Sequence, residues 1–441
     1  MKISYLLPLT SALMLACSLP FIQVNTFGFL TFFGLVPLFI FLLSTESAVS
    51  KKEKVLVSLF VGIVYFFAVL SPLLALESWW WLSPESFLYD YRNVIFTLLI
   101  FLVAVYGGTL IFLPLSILFI KLNTSKCNKL LILFVPILYV VLESVKTFSV
   151  SGFGWGTLAY NLSPDSVFSQ VVSVVGVSGL SFIIVLVNIL FAFSLVKNNK
   201  IFLVPFVILI AMFTFGKVME NKTLPPLDIS IAVMNSKNLS DSDLSFSSSK
   251  NEFARIVTFM QESGLAGKQV AILPENIFPA FVLNEQTLLP IAYENNGSIK
   301  EYYDKLMLVS RTYPDTSYVF GMHTFSEINK EKYNSLLVIE NGQVKDIYSK
   351  RVVLPFTESR EFTNSNKNKD SIITQYGEFG ALLCSEMADL RLFPKNRELV
   401  IIAAHSKVFN NDRAKIFNHQ IAKINALAYG SSLIISEKNS E

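Results

Sequence analysis

Seven apolar runs fill the first half of the chain, near Ile3–Phe21, Phe27–Leu43, Val55–Leu76, Val94–Ile120, Leu130–Val145, Val171–Val196 and Ile201–Phe215. Crossing the hydrocarbon core of a bilayer takes about 20 residues of helix. Inside that core each backbone amide must find its partner within the segment, which leaves helices as the solution for runs of this kind. The expected architecture over residues 1–217 is a polytopic α-helical membrane bundle of about seven spanning helices. The fourth run is long enough to tilt or to contain a break around Gly107-Gly108. In the first, "LMLACSLP" looks like a lipoprotein cleavage site at Cys17, but Lys2 is the only charge before it, and a plain spanning helix is the simpler reading.

The loops give an orientation. "STESAVSKKEK" carries Lys51, Lys52 and Lys54, "KLNTSKCNK" carries Lys121, Lys126 and Lys129, and "KNNK" carries Lys197 and Lys200. The alternate loops lack this bias: "QVNT" is uncharged, and "ESWWWLSPESFLYDYR" is acidic and aromatic, with Trp79, Trp80 and Trp81 suited to a membrane interface. Lysine-rich loops stay on the cytoplasmic side. Seven crossings from an inner N-terminus put everything after residue 217 outside, which for a bacterial inner membrane is the periplasm.

Composition removes other classes. The chain has 441 residues, 52% of them hydrophobic and 16% charged, and its net charge of +3 gives no footprint for nucleic acid. Its three cysteines, Cys17, Cys127 and Cys384, have neither disulfide-scaffold nor zinc-ligand spacing, and no motif asks for a metal or an organic cofactor. The spanning segments hold almost no ionisable residue beyond Glu143, which argues against a transporter.

Residues 226–441 read as a separate extracytoplasmic α/β domain. "LDISIAVM", "QVAILPE", "SYVFGMH", "GEFGALLC", "ELVIIAAHS" and "SSLIIS" are expected strands, and "YNSLLVIENGQVKDIYS" is a hairpin turning at Asn341-Gly342. "KNEFARIVTFMQES" and "RAKIFNHQIAKINALAYG" are expected helices. Three residues with reactive side chains fall at strand ends: Glu275 after "QVAIL", Lys350 after the hairpin, and Cys384 after "FGALL", where a helix "SEMADLRLF" is expected to begin. A thiol becomes nucleophilic when a helix N-terminus or a cation lowers its pKa. A carboxylate can take its proton, and a lysine can stabilise the oxyanion of an attacked carbonyl. Glu358 and Glu386 could hold further positions on the same rim. A lone cysteine is more often a small core residue, and strand-end charges are more often solvated. His323, His405 and His419 leave a Cys-His hydrolase open as well.

Taken together, "LPENIFP", "SKRVVLPFTES" and "LLCSE" resemble the nitrilase superfamily, and more narrowly apolipoprotein N-acyltransferase. "LPFIQVNTFGFLTFFGLVPLFIFL" resembles that family's opening helices, and "GFGWGTLAYNLSPDSVFSQVVSVVGVSGLSFIIVLVN" its long extracytoplasmic loop and following helix. The resemblance implies a nitrilase-like αββα sandwich, with Glu275 as base, Lys350 as catalytic lysine and Cys384 as nucleophile. Glu358 matches the glutamate of the family's proline–phenylalanine motif, and Glu386 the glutamate two past the nucleophile. It implies a phospholipid acyl donor, a lipoprotein acceptor and no cofactor. The chain departs from the pattern in Ser385 after the cysteine, in the lack of any tryptophan after Trp155, and in "AHSKVFNND" and "NALA" where family motifs stand. The resemblance also leads one to expect further strands and an eighth spanning helix past the position of Glu441. These departures keep open a diverged relative, such as the membrane nitrilase-like proteins of conjugal-transfer systems, with altered substrate or without catalysis.

Overall fold

The computed structural model describes residues 3–20, 27–44, 49–75, 91–123, 129–149, 154–197, 200–220, 227–235, 246–277, 281–292, 298–354, 358–365, 368–405 and 412–438. The interfacial tryptophans Trp79, Trp80 and Trp81 and the loop "QVNT" lie outside the described residues. The chain packs as two units. One joins Met1–Leu224 with Asn411–Ala428, and the other joins Pro225–Asn410 with Tyr429–Glu441.

The first unit is built from α1 (Ile3–Cys17), α2 (Val36–Leu43), α3 (Lys51–Leu70), α4 (Arg92–Leu122), α5 (Leu130–Ser149), α6 (Val172–Lys197) and α7 (Leu203–Glu220). Five stretches among the described residues are long and apolar enough to cross a membrane, against the seven expected: Lys51–Leu74, Asn93–Leu122, Leu130–Ser149, Val167–Val196 and Leu203–Glu220. The first two runs form shorter apolar helices. The second is interrupted: a 3-10 turn over Gly28–Phe32 precedes α2, with Pro37 in the first turn of that helix. Asn188 on α6 satisfies the interrupted backbone, accepting from Leu35 N at 2.8 Å and donating to Thr31 O at 3.0 Å.

No break occurs at Gly107-Gly108; α4 runs unbroken through both. These glycines let α3 and α4 touch, since a Cβ on Gly108 would meet Ile63 N at 2.7 Å and one on Gly107 would meet the Phe66 ring at 2.9 Å. The break lies instead at Gly176 near the start of α6, where φ is 70° and ψ 176°.

Two lysine-bearing loops share one end of this unit. Lys54 Nζ donates to Leu42 O at 3.0 Å and Ser44 O at 2.5 Å, capping the C-terminal carbonyls of α2. Asn123, just past α4, donates to Leu43 O at 2.9 Å, so the end of α4 meets the end of α2. At the other end of α5, the segment 154–162 is held by buried polar groups, and α10 (Asp412–Tyr429) packs on it through Asp412–Ala428. Trp155 Nε1 donates to Asn418 Oδ1 at 2.9 Å, Tyr160 OH donates to Asn425 Oδ1 at 2.8 Å, and Gln420 Nε2 donates to Tyr160 O and Leu162 O at 2.6 and 2.9 Å.

The second unit holds β1 (Ile231–Val233), α8 (Phe246–Leu265), β2 (Val270–Ile272), β3 (Phe281–Asn284), β4 (Pro290–Ala292), α9 (Ser298–Thr312), β5 (Ser317–Ser326), β6 (Glu331–Glu340), β7 (Gln343–Ser349), β8 (Ser371–Thr374), β9 (Gly377–Leu383), β10 (Leu399–His405) and β11 (Ser432–Lys438). In the seven-stranded sheet β5 pairs in parallel with β2 and β3 on one edge and antiparallel with β6 on the other, and β6 turns into β7 at Asn341-Gly342. The four-stranded sheet runs β11-β10-β9-β8. Alternation along the strands separates two cores. Leu273, Phe320, Met322 and Leu337 face α8 and α9 through Ile256, Met260 and Leu306. Ile272, Val319, Leu336 and Tyr348 meet Ala381, Leu383, Ile401 and Ala403 across the two sheets. Residues on the second of these faces, followed toward the strand ends, lead into the candidate site.

Candidate active site

The chain leaves the edge of β5 between β2 and β3, and Glu275 sits in that gap. Leu273 N donates to Val319 O at 2.8 Å, Gly321 N to Pro274 O at 3.1 Å, and Ile277 N to Gly321 O at 3.3 Å. The turn rides so close over β5 that a Cβ on Gly321 would lie 2.5 Å from Glu275 Cα. Asn334 on β6 donates from Nδ2 to Glu275 Oε1 at 2.6 Å. Glu275 Oε2 and Asn334 Oδ1 are buried with no hydrogen-bond partner among the described residues. An unpaired acceptor in a protein interior is costly, and here two lie on a directly bonded pair of side chains.

Lys350 follows β7 directly and is wholly buried. Its amide donates to Asn334 O at 2.8 Å. Its Nζ lies 2.6 and 2.8 Å from the two oxygens of Glu358, and Glu358 Oε2 also accepts from Leu354 N at 2.8 Å. Burial works to lower the lysine pKa, but Glu358, then Glu275 and Cys384, outweigh it and carry the pKa above its ordinary value. Lys350 is therefore an ammonium, fixed in place by Glu358.

Cys384 takes the first position after β9 with φ at 45°, a left-handed conformation that costs an L-residue about 1–2 kcal/mol. Glu386 keeps it there. Its Oε2 accepts from Leu383 N at 2.9 Å and from Tyr348 OH at 2.6 Å, and its Oε1 accepts from Arg351 N at 2.7 Å. One buried carboxylate thus joins the cysteine turn to the segment carrying Lys350, and burial first of all pushes its pKa up.

The helix expected after Cys384 is a 3-10 turn over Cys384–Ala388, so no helix terminus lowers the thiol pKa. Burial, then the Glu275 charge, pushes that pKa well above its ordinary value, against Lys350 and the backbone N–H of His405, which donates to the sulfur. The resting group is a thiol. Glu275, whose charge acts on the thiol, keeps Oε2 without a partner among the described residues.

Glu275, Lys350, Cys384, Glu358 and Glu386 therefore belong to one cluster in the second unit. His323 lies beside it as the cross-strand partner of Asn334. Its ring is 4.6 Å from that of Phe362, and burial, then Lys332, lowers its pKa to about 3. His419 is on α10, in the first unit. Among the described residues no three His, Cys, Asp or Glu side chains gather as a metal ion would require. Sequence reasoning missed Asn334, the close approach at Gly321 and the His405 amide. The only signal for Asn334 was its place in "YNSLL", within the run that becomes β6.

Residues 11–190 match the family model of the apolipoprotein N-acyltransferase N-terminal domain. No curated protein matches the chain by sequence. Solved structures similar to it include a Saccharomyces cerevisiae member of branch 10 of the nitrilase superfamily, at 16% identity, covering 48% of this chain and 75% of that one with a TM-score of 0.34. A carbon-nitrogen hydrolase from Helicobacter pylori G27 aligns at 17% identity over 48% and 73% of the two chains, with a TM-score of 0.35. The amidase of Nesterenkonia AN1, from the nitrilase superfamily, aligns at 12% identity over 48% and 76%, with a TM-score of 0.34.

Proposed function

We propose that the protein is a membrane acyltransferase that moves an acyl chain from a phospholipid, through a thioester on Cys384, to the N-terminal amine of a lipoprotein. The observation that carries this is the union, in one chain, of an apolar helical half matching the apolipoprotein N-acyltransferase N-terminal domain with a buried Glu–Lys–Cys cluster. Glu275 Oε2 takes the thiol proton as the sulfur attacks the ester carbonyl. The Lys350 ammonium stabilises the oxyanion, as preorganised charge does in acyl transfer. The lyso-lipid alcohol leaves with the proton from Glu275, and the amine then attacks the thioester. Both substrates are lipid-anchored, which is the physical reason for the bundle.

Seven crossings with the N-terminus inside would set the cluster on the periplasmic face of a bacterial inner membrane. Supporting this side, the helix ends that flank two lysine-bearing loops meet at one end of the first unit, while α10, drawn from the C-terminal half, packs beyond the other end of α5. The diverged relative is the second reading, favoured by the lack of any tryptophan after Trp155.

The test is incubation of purified protein in detergent with an alkyne-tagged phospholipid. The expected result is label on the protein that hydroxylamine removes and Cys384→Ala abolishes. Folded protein that takes no label would turn the assignment to the diverged relative.

A further inference from the structure

The acceptors left open in the site outnumber what the first half of the reaction uses. Glu275 Oε2 serves to receive the thiol proton, but Asn334, whose Nδ2 donates to Glu275 Oε1, has its own Oδ1 buried without a partner among the described residues. His323 adds a third polar group. It is 6% exposed, and alternation along β5 puts it on the same face as Gly321, over which Glu275 lies. Its imidazole makes no hydrogen bond to any described residue, and its one ring neighbour is Phe362. The nearest cation, Lys332, is held in an ion pair with Glu361. A neutral imidazole offers one donor and one acceptor, and a core packing role against Phe362 would use neither.

We propose that His323 is a binding residue for the acyl acceptor, taking a hydrogen bond from the nucleophile that attacks the Cys384 thioester. The proposal rests on the acyltransferase reading and assigns the second half-reaction a residue of its own. The amine nitrogen bonds to the carbonyl carbon and the C–S bond breaks, leaving its electron pair on Sγ. One N–H proton passes through Glu275 to that sulfur. The other N–H stays on the product amide and is the one His323 and Asn334 Oδ1 hold during attack. Phospholipid cleavage presents no second N–H, so loading of the thioester does not call on His323.

The experiment separates the two halves. Protein loaded with the tagged phospholipid is chased with a synthetic peptide whose N-terminal cysteine carries a diacylglyceryl group. His323→Phe keeps the packing on Phe362 and removes both nitrogens, whereas His323→Gln keeps a hydrogen-bonding group. The expected result is loading within about twofold of the unmutated protein in both variants. Transfer should fall about 10- to 100-fold in His323→Phe, the worth of one or two units of 1.4 kcal/mol, and less than about fivefold in His323→Gln. Transfer at the unmutated rate in His323→Phe overturns the proposal, as does an equal fall in loading and transfer. Should His323→Phe not fold, His323→Leu carries the same readout. No loading of the unmutated protein takes down the acyltransferase reading, and this inference with it.

Discussion

Each unit buries a carboxylate and a lysine, and they are treated in opposite ways. On α5, Glu143 and Lys146 are 3% and 4% exposed. Glu143 Oε1 accepts from Leu158 N at 2.9 Å, and Lys146 Nζ donates to Trp155 O at 2.6 Å, so both are spent on pinning the segment 154–158. In the second unit Lys350 is equally pinned by Glu358, but Glu275 keeps one oxygen without a partner, beside an open Asn334 carbonyl and a strained cysteine. A buried charge whose bonds are all made rigidifies a structure; one left partly open is a place for chemistry. The difference also disposes of Glu143 as a sign of transport, since it serves a loop.

The widest separation expected between the regions comes from removing each carboxylate's charge. Glu275→Gln can still accept from Asn334 but cannot take a proton, so thioester formation should fall about 10²- to 10⁴-fold with the melting temperature nearly unchanged. Glu143→Leu leaves Leu158 N without its acceptor and the buried Lys146 ammonium without the Glu143 charge, and should cost about 3 kcal/mol of stability, read as a lower melting temperature in detergent, while the folded fraction still loads. A loss of loading rate per folded molecule in Glu143→Leu, or an unaffected Glu275→Gln, would erase the distinction.

Next in size is Gly321→Ala. The added methyl falls on the backbone of Glu275, 2.5 Å from its Cα, and cannot be absorbed by a rotamer change. Displacing the base by a few tenths of an ångström or more should slow loading about 10- to 100-fold without unfolding the sheet. Unchanged loading kinetics would show that the position of Glu275 is looser than its contact with β5 implies.

What the sequence disclosed follows from how locally each feature is encoded. Spanning helices announce themselves by length and apolarity, and α3 to α7 fall within a few residues of the apolar runs. Strand ends and the Asn341-Gly342 turn are equally local, which is why Glu275, Lys350 and Cys384 could be singled out. Asn334 could not: its bond to Glu275 spans 59 residues and depends on the register of β6 against β5, which no local pattern carries. Gly107-Gly108 misled because a glycine pair in a membrane helix serves a break and a close contact alike, and only the partner helix decides. The turn after Cys384 misled because "SEMADLRLF" has helical composition, while Glu386, bonded to Leu383 N, Tyr348 and Arg351, holds it in one short turn.

Acid should act on the fold through His323. Its pKa is near 6.5 in the unfolded chain and about 3 when folded, lowered by burial and by Lys332. The unfolded state therefore binds the proton first. The contribution of neutral His323 to stability is whole above pH 6.5 and drains away as pH falls toward 3. The melting temperature of the unmutated protein should fall relative to that of His323→Phe as pH drops from 7 to 4. Parallel curves would mean that His323 is not buried as a neutral ring.

The smallest expected effect bears on the strain at Cys384. Glycine normally costs about 0.5–1 kcal/mol relative to alanine, through the freedom it has in the unfolded chain. At φ 45° an alanine pays a steric penalty of similar or larger size that glycine escapes. Cys384→Gly should therefore be as stable as Cys384→Ala, or more stable by up to about 1 kcal/mol. Three residues earlier Ala381 is buried in regular β9, and Ala381→Gly should carry the full ordinary loss and the cost of an emptied core position. If Cys384→Gly instead melts below Cys384→Ala by the usual glycine increment, the turn holds no strain, and the cysteine is set by Glu386 alone. If the order is reversed as expected, the site stores strain at Cys384, while the buried groups of α5 serve only to hold a loop.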